Sequence, residues 1–120
     1  MIVGPKAVAL FGLFFAAMTS VTVHAQESGK VAWYGHKFAG HKTASGERFN
    51  PNALTMAHKS LPFGTRVKVT NTGNNRSVVV RVNDRGPTSG NLIGDVSQAA
   101  AQRLGFLRAG SADVKLEVVK

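Results

Sequence analysis

The first candidate for chemistry is the carboxyl group of Asp84, which lies between a predicted strand and a predicted turn. The valine-rich run 76–82 predicts a strand, and Gly86-Pro87 predicts a turn directly after it. A strand on one side and a turn on the other would hold a carboxyl group in place, as an enzyme requires. An aspartate that only caps the turn gives the same pattern, so this motif leaves both interpretations open.

Two further side chains, Asp95 and His58, are candidates to act with Asp84. Asp95 lies just before Ser97, a predicted helix N-cap. An aspartate there can take part in chemistry, or it can simply complement the helix dipole. His58 ends a short apolar run and could bind a ligand or steer the proton of Asp84. A structural role for His58 fits the sequence equally well.

Three histidines, His36, His41 and His58, raise the question of a metal site. They lack the helical spacing of a zinc motif, and no cluster of acids accompanies them. We therefore predict no metal and no cofactor.

The pattern of apolar residues predicts a small β protein. The strand candidates are residues 31–34, 54–57, 65–70, 76–82 and 114–118. Residues 71–75 predict a hairpin connection, and residues 26–30 predict a polar leader. A helix is expected over 98–104, with Ser97 as its N-cap and Gly105 as its end. Five or six short strands and one helix favour a closed β-barrel with the helix packed outside.

The first 25 residues have the pattern of a secretory signal peptide. Lys6 precedes an apolar core over 7–17, and Val23-His24-Ala25 fits the cleavage positions. A single membrane anchor is the alternative, but the apolar run is shorter than the roughly 18 residues that a span needs. We predict cleavage after Ala25 and an exported domain over 26–120, periplasmic or secreted, without a stable membrane anchor.

Composition restricts the partners of this domain. The chain has 15 basic residues, 6 acidic residues, a formal net charge of +9 and no cysteine. The electric field of this positive charge attracts polyanions. For an exported protein, these polyanions are cell-wall polymers or lipids rather than nucleic acid. The alternative to a dedicated anion site is a basic surface that only keeps the protein soluble. Without disulfides, a chain of this length favours one compact domain, which we expect to be monomeric.

Six short motifs occur in order along the mature chain. They are Trp33-Tyr34-Gly35, Thr43-Ala44-Ser45-Gly46-Glu47-Arg48-Phe49, Leu54-Thr55-Met56-Ala57-His58, Leu61-Pro62-Phe63-Gly64-Thr65, Val69-Thr70-Asn71 and Asn83-Asp84-Arg85-Gly86-Pro87. The ordered set resembles the double-psi β-barrel domain of the rare lipoprotein A (RlpA-like) family, over residues 29–119. Thr88 and Gly94 depart from that family, which commonly has an aromatic residue and an isoleucine in the corresponding motifs.

This resemblance implies a mainly β fold, a six-stranded double-psi β-barrel with one short helix, related to the barrels of expansins. It also implies a lytic transglycosylase that cleaves the glycan strands of peptidoglycan and prefers glycan without stem peptides. Within the family, the residues that correspond to Asp84 and His58 are needed for activity. Such an enzyme requires one acid with a raised pKa, which partial burial can provide, because one carboxyl group can serve as acid and then as base.

The predicted substrate contacts are Glu47, Asp95, Tyr34 and Arg85. Glu47 lies in the family's groove, and Tyr34 could stack on a sugar or hydrogen-bond to it. Arg85 suits a carboxylate of the substrate. It also raises a difficulty, because a cation beside Asp84 would lower the pKa of that carboxyl group unless Arg85 points away and holds the loop.

Two other classes of function remain open at this stage. One is a non-catalytic, expansin-like module that binds or loosens the cell wall. The other is a small secreted interaction protein that uses the barrel as a scaffold. A fold resemblance by itself does not choose among the three.

Overall fold

The computed structural model describes residues 26–88 and 90–119. Its six strands are β1 (Gln26–Tyr34), β2 (Thr55–Ala57), β3 (Arg66–Asn71), β4 (Ser77–Asp84), β5 (Leu92–Ser97) and β6 (Ser111–Val119). They form a closed barrel in the order β1-β5-β2-β4-β3-β6. Helix α1 (Gln98–Leu104) follows β5, and a 3-10 turn (His36–Phe38) follows β1. The predicted β-barrel with a short helix is therefore confirmed.

The core is built from alternating valines of the β3–β4 hairpin. Val67 pairs with Val80, and Val69 pairs with Val78, in an antiparallel register. All four side chains are buried. Valine suits this position because its branched side chain packs well on a pleated surface. Burying each one contributes about 1.5–3 kcal/mol relative to exposure.

The helix boundaries agree with the sequence prediction. The Ser97 hydroxyl accepts a hydrogen bond from the Ala100 amide at 3.2 Å, as an N-cap does, and donates to the Ala53 carbonyl at 2.6 Å. Gly105 ends the helix in the left-handed conformation, with φ of 77°. Ser97 therefore both begins α1 and ties it to the segment before β2.

Strand β1 is longer than predicted. Residues 26–30 are not a leader but the first half of β1, where Gln26 pairs with Glu117 and Gly29 with Val114 of β6. Most of these residues are exposed, so the backbone ladder supports the strand without an apolar pattern that the sequence could reveal. The pattern also fails to predict β5, because Gly94 and Asp95 interrupt its apolar residues.

The predicted signal peptide, residues 1–25, lies outside the described residues. Within the described ranges, no helix has the length and apolar character to cross a membrane.

Candidate active site

Asp84 and Asp95 lie on either side of Ala57. Ala57 pairs with Asp84 in the parallel β2–β4 ladder and with Asp95 in the antiparallel β2–β5 ladder. Residues that pair across a ladder point to the same face of the sheet. Both carboxyl groups therefore share the outer face of the barrel wall, on backbones separated by two strand spacings, or roughly 10 Å.

A bulge in β4 gives Asp84 this position. The inward-facing residues of β4 alternate up to Val82, so strict alternation would turn Asp84 inward as well. The register skips Asn83 instead, since Met56 pairs with Val82 and Ala57 pairs with Asp84. Bulges often redirect a side chain next to an active site. Here the bulge at Asn83 brings the Asp84 side chain to the face of Asp95.

Strand β5 has a bulge before its own aspartate. Lys30 pairs with Leu92 and Val31 with Gly94, so the register skips one residue. A Cβ atom on Gly94 would lie 2.6 Å from the Met56 Cε and 3.2 Å from the Ala57 carbonyl oxygen. A side chain at residue 94 would therefore require the Met56 side chain to move, so Gly94 lets Met56 and β2 pack closely beside Asp95.

Backbone amides hold the Asp84 carboxylate. Its Oδ1 accepts hydrogen bonds from the Ala44 amide at 2.9 Å and from the Arg85 amide at 2.8 Å. The Arg85 side chain points away, since its Nη1 donates to the carbonyls of His58 at 3.1 Å and Leu61 at 2.8 Å. Of the two positions that the sequence leaves open for the Arg85 side chain, the structure shows the one that holds the loop after β2.

Asp95 is the carboxyl group whose environment favours the protonated form. Its side chain is half-buried, and burial is the main cause that raises the pKa of Asp95. The negative charge of Asp84 raises this pKa further. The environment of Asp95 thus disfavours the charged form of its carboxyl group.

The Tyr34 hydroxyl lies close enough to Asp84 and Asp95 for the charges of these two carboxyl groups to affect its pKa. Burial, and then the charges of Asp84 and Asp95, raise the pKa of Tyr34. Its ring stacks on Phe49 with 4.4 Å between centroids and meets Phe38 edge-on at 5.8 Å. The hydroxyl is buried, and no described residue accepts its hydrogen bond. Tyr34 is therefore a neutral donor fixed beside the pair.

Trp33 points to the opposite face of β1 from Tyr34. It packs against the core, and its Nε1 donates to the Leu107 carbonyl at 3.1 Å. The alternation of a strand thus separates a structural aromatic residue from one at the site.

His58 is buried and contacts Asp84 through the backbone. Its Nδ1 accepts from the amides of Ser60 at 3.1 Å and Leu61 at 3.0 Å, so its proton lies on Nε2, which faces Glu27 Oε1 at 2.8 Å. The His58 amide donates to the Asp84 carbonyl at 3.1 Å. Sequence reasoning missed Glu27, because this residue lies in the supposed leader.

Glu47 is paired with Arg81 and Asn83 from β4. The Arg81 guanidinium donates two hydrogen bonds to its carboxylate, at 2.7 and 2.8 Å, and the Asn83 amide donates one at 3.2 Å. The bond to Arg81 is the main reason that the pKa of Glu47 is lowered to about 2. Sequence reasoning missed both partners, since nothing local connects a loop acid with a distant strand.

Among the residues that the structure describes, no three His, Cys, Asp or Glu side chains gather into a metal site. His41 instead lies edge-on to Phe38, 6.2 Å between ring centroids.

A sequence profile described as "Lytic transglycolase" matches residues 26–116. The chain belongs to this family. The endolytic peptidoglycan transglycosylase RlpA of Neisseria meningitidis serogroup A is 57% identical over 93 residues, 78% of this chain and 39% of the relative. The probable endolytic peptidoglycan transglycosylase RlpA of Synechocystis is 52% identical over 101 residues, 84% and 32%. The chain thus spans less than half the length of these relatives.

Solved structures share the fold at lower identity. An expansin of Clavibacter michiganensis in complex with cellohexaose superposes with a TM-score of 0.63 at 18% identity, over 79% of this chain and 50% of that one. The Streptomyces papain inhibitor gives a TM-score of 0.62 at 24% identity, over 79% and 94%. These likenesses show the fold alone, which is the predicted double-psi β-barrel.

Proposed function

We propose that this chain is an endolytic peptidoglycan lytic transglycosylase that acts through the Asp84–Asp95 pair. The observation that carries this proposal is the placement of both carboxyl groups on one face beside Ala57, with the pKa of Asp95 raised. The names of the family and of its relatives support the same reaction.

The reaction needs one proton that moves in two steps. Asp95 protonates the oxygen between N-acetylmuramic acid and N-acetylglucosamine, and the bond from that oxygen to the muramic C1 breaks. The Asp95 carboxylate then takes the proton of the muramic 6-hydroxyl, whose oxygen bonds to C1. The product is a 1,6-anhydro sugar, no water is consumed, and Asp95 is protonated again.

In this scheme, Asp84 supplies a negative charge beside the sugar ring. The sequence favours Asp84 as the acid and Asp95 as a substrate contact, but the raised pKa of Asp95 supports exchanging these roles. A fixed carboxylate near the sugar stabilises the positive charge that develops on its ring. Asp84 is well suited to this role, since two backbone amides hold its Oδ1. The Tyr34 hydroxyl, from which no described residue accepts a hydrogen bond, donates one to the substrate.

The other predicted site residues act on this pair through the backbone. His58 and Arg85 are positioning residues, because both hold the loop after β2 against the end of β4. Glu47 holds the loop whose Ala44 amide binds Asp84. None of the three needs to touch the glycan for its loss to reduce activity.

The finer features of the proposal concern substrate form and location. We propose a preference for glycan without stem peptides, and a monomeric enzyme that is exported after cleavage at Ala25. The signal-peptide pattern of residues 1–25 and the excess of basic residues support this location beside anionic wall polymers.

The decisive experiment is mass spectrometry of glycan digests. The protein, expressed from the full chain, is incubated with intact sacculi and with amidase-treated glycan strands. We expect 1,6-anhydromuramyl ends that disappear in Asp95→Asn and in Asp84→Asn. Asp113→Asn is the matched control, because Asp113 is an exposed aspartate of β6 that pairs with Lys30 at 3.8 Å. Wall binding without new chain ends would replace this proposal with the expansin-like alternative.

A further inference from the structure

Glu27 lies on the inner face of β1 but outside the apolar core. It pairs with Leu116 in the antiparallel β1–β6 ladder, and the Leu116 side chain is buried. Residues that pair across a ladder point to the same face, so Glu27 is directed towards the barrel interior. Its side chain is still 45% exposed and contacts His58. Glu27 therefore lies at one end of the barrel, where it reaches the loop after β2.

The His58 ring is enclosed and has hydrogen-bond partners on both of its nitrogens. Its side chain is only 6% exposed. The Nδ1 atom accepts from the amides of Ser60 and Leu61, which only an unprotonated nitrogen can do. The ring proton therefore lies on Nε2, which donates to Glu27 Oε1 at 2.8 Å. A carboxylate in this place fixes both the tautomer and the orientation of an imidazole.

The loop that this ring holds is bonded to Asp84 by two routes. The His58 amide donates directly to the Asp84 carbonyl at 3.1 Å. The Leu61 carbonyl accepts from Arg85 Nη1 at 2.8 Å, and the Arg85 amide donates to Asp84 Oδ1 at 2.8 Å. A change in the position of the His58 ring would therefore move this loop and, with it, the Asp84 carboxylate.

We propose that Glu27 is a positioning residue for the transglycosylase reaction, and that it acts on Asp84 by accepting the hydrogen bond of His58. Without an acceptor at residue 27, the buried Nε2–H group has no partner, which is unfavourable. The ring relieves this cost by turning or by moving its proton to Nδ1. Either change releases the amides of Ser60 and Leu61. The inference rests on the proposed function, because it assigns Glu27 a role in that reaction.

Two substitutions in the full chain test the role of the acceptor. Glu27→Gln keeps an oxygen that accepts a hydrogen bond, whereas Glu27→Leu keeps most of the volume and removes the acceptor. Turnover is measured as the rate at which anhydromuramyl ends appear on amidase-treated glycan. We expect Glu27→Leu to lower kcat about 10²-fold, since a displacement of about 1 Å at a reacting group has an effect of this size.

The comparison of kcat with KM separates positioning from binding and from folding. For both variants KM should stay within about threefold of the wild type, because Glu27 does not touch the glycan in this account. Glu27→Gln should also keep kcat within about threefold. Ser28→Leu is the matched control, since the Ser28 side chain lies on the opposite face of β1, and it should have the wild-type rate. Thermal melting checks that each variant folds, and Glu27→Ala replaces Glu27→Leu if the latter does not.

Nitrogen-15 NMR of the His58 ring gives a readout that does not depend on turnover. The sequence has four histidines, and the signals of His58 are those that disappear in His58→Gln. We expect the proton on Nε2 in the wild type and in Glu27→Gln. In Glu27→Leu we expect a mixture of the two tautomers or a shift in both ring nitrogens.

Full turnover in Glu27→Leu would overturn the inference, and so would a loss of turnover with an unchanged His58 ring. Equal losses in Glu27→Gln and Glu27→Leu would also overturn it, since the amide keeps the acceptor. In each of these cases the wild type still forms anhydro products, so the transglycosylase remains. A wild type without such products would remove the transglycosylase and the role of Glu27 together.

Discussion

The two ends of β4 use polar side chains in opposite ways. At its start, the turn of the hairpin is closed by amide side chains. Asn71 Nδ2 and Asn74 Nδ2 both donate to the Leu104 carbonyl, at 2.9 and 3.0 Å, and Asn71 Oδ1 accepts from the Gly73 amide at 2.9 Å. These bonds fasten the turn to the end of α1, so the asparagines there serve the fold.

Towards the other end of β4, three buried polar atoms have no partner among the described residues. They are the Tyr34 hydroxyl, Asn83 Oδ1 and, on the neighbouring strand β2, Thr55 Oγ1. Two carboxyl groups also share a half-buried face there, which disfavours ionising both. The contrast teaches that this end keeps hydrogen-bonding capacity and charge available for a ligand, at a cost in stability that the hairpin end does not bear.

The largest expected effect is on activity in Asp95→Asn. Loss of the proton donor should reduce turnover of glycan by about 10²–10⁴-fold, the usual contribution of general acid–base catalysis. Turnover is measured as the rate at which anhydromuramyl ends appear. Asp113→Asn should retain the wild-type rate, and a similar loss in both variants would contradict a specific role for Asp95.

The same variant should be more stable than the wild type at neutral pH. Since the folded state raises the pKa of Asp95, it holds this proton more tightly than the unfolded state does, so stability falls as pH rises from the usual aspartate range through the raised pKa. Asparagine removes that loss. Urea unfolding at pH 4 and pH 7 measures the effect, and equal slopes with pH in wild type and Asp95→Asn would contradict it.

The next effect is on stability at the hairpin end. Asn71→Ala removes the bond to the Leu104 carbonyl and leaves the Gly73 amide unpaired, so we expect a loss of about 1–3 kcal/mol in the free energy of unfolding. Activity per folded molecule should stay unchanged. Asn52→Ala, at an exposed loop asparagine, is the control. An Asn71→Ala protein with wild-type stability would remove the contrast between the two ends.

The smallest effect is expected for Glu47→Gln. The ion pair with Arg81 is partly exposed, so its loss should cost only about 1 kcal/mol. Because folding lowers the pKa of Glu47 to about 2, this stability is present above the usual glutamate range and disappears as the pH falls towards 2. Urea unfolding at pH 7 and near pH 2 measures it, with Glu117→Gln as control. A difference that persists near pH 2 would show that the Glu47 charge is not its source.

The sequence predicts those parts of the fold that carry a local signal. The alternating valines of β3 and β4 and the caps at Ser97 and Gly105 are examples, since each depends on residues within a few positions. The first half of β1 could not be predicted in this way. Its exposed residues are held by pairing with β6, which lies at the other end of the sequence.

The site is predictable in its residues but not in its arrangement. The ordered motifs point to Asp84, His58 and Glu47, and the helix cap points to Asp95. The bulge at Asn83, which brings the two aspartates to one face, depends on pairing between distant strands and has no local signature. For the same reason, the sequence does not reveal that Arg85 turns away from Asp84 or that His58 pairs with Glu27.

The central claim is that half-burial, and then the charge of Asp84, raise the pKa of Asp95. Carbon-detected NMR of the aspartate carboxyl groups, followed through a pH titration, tests it most directly. We predict that Asp95 titrates above the usual aspartate range, and that Asp84→Asn, which removes the neighbouring charge, lowers the pKa of Asp95 towards that range. An Asp95 that titrates at or below the usual range in the wild type would contradict the claim.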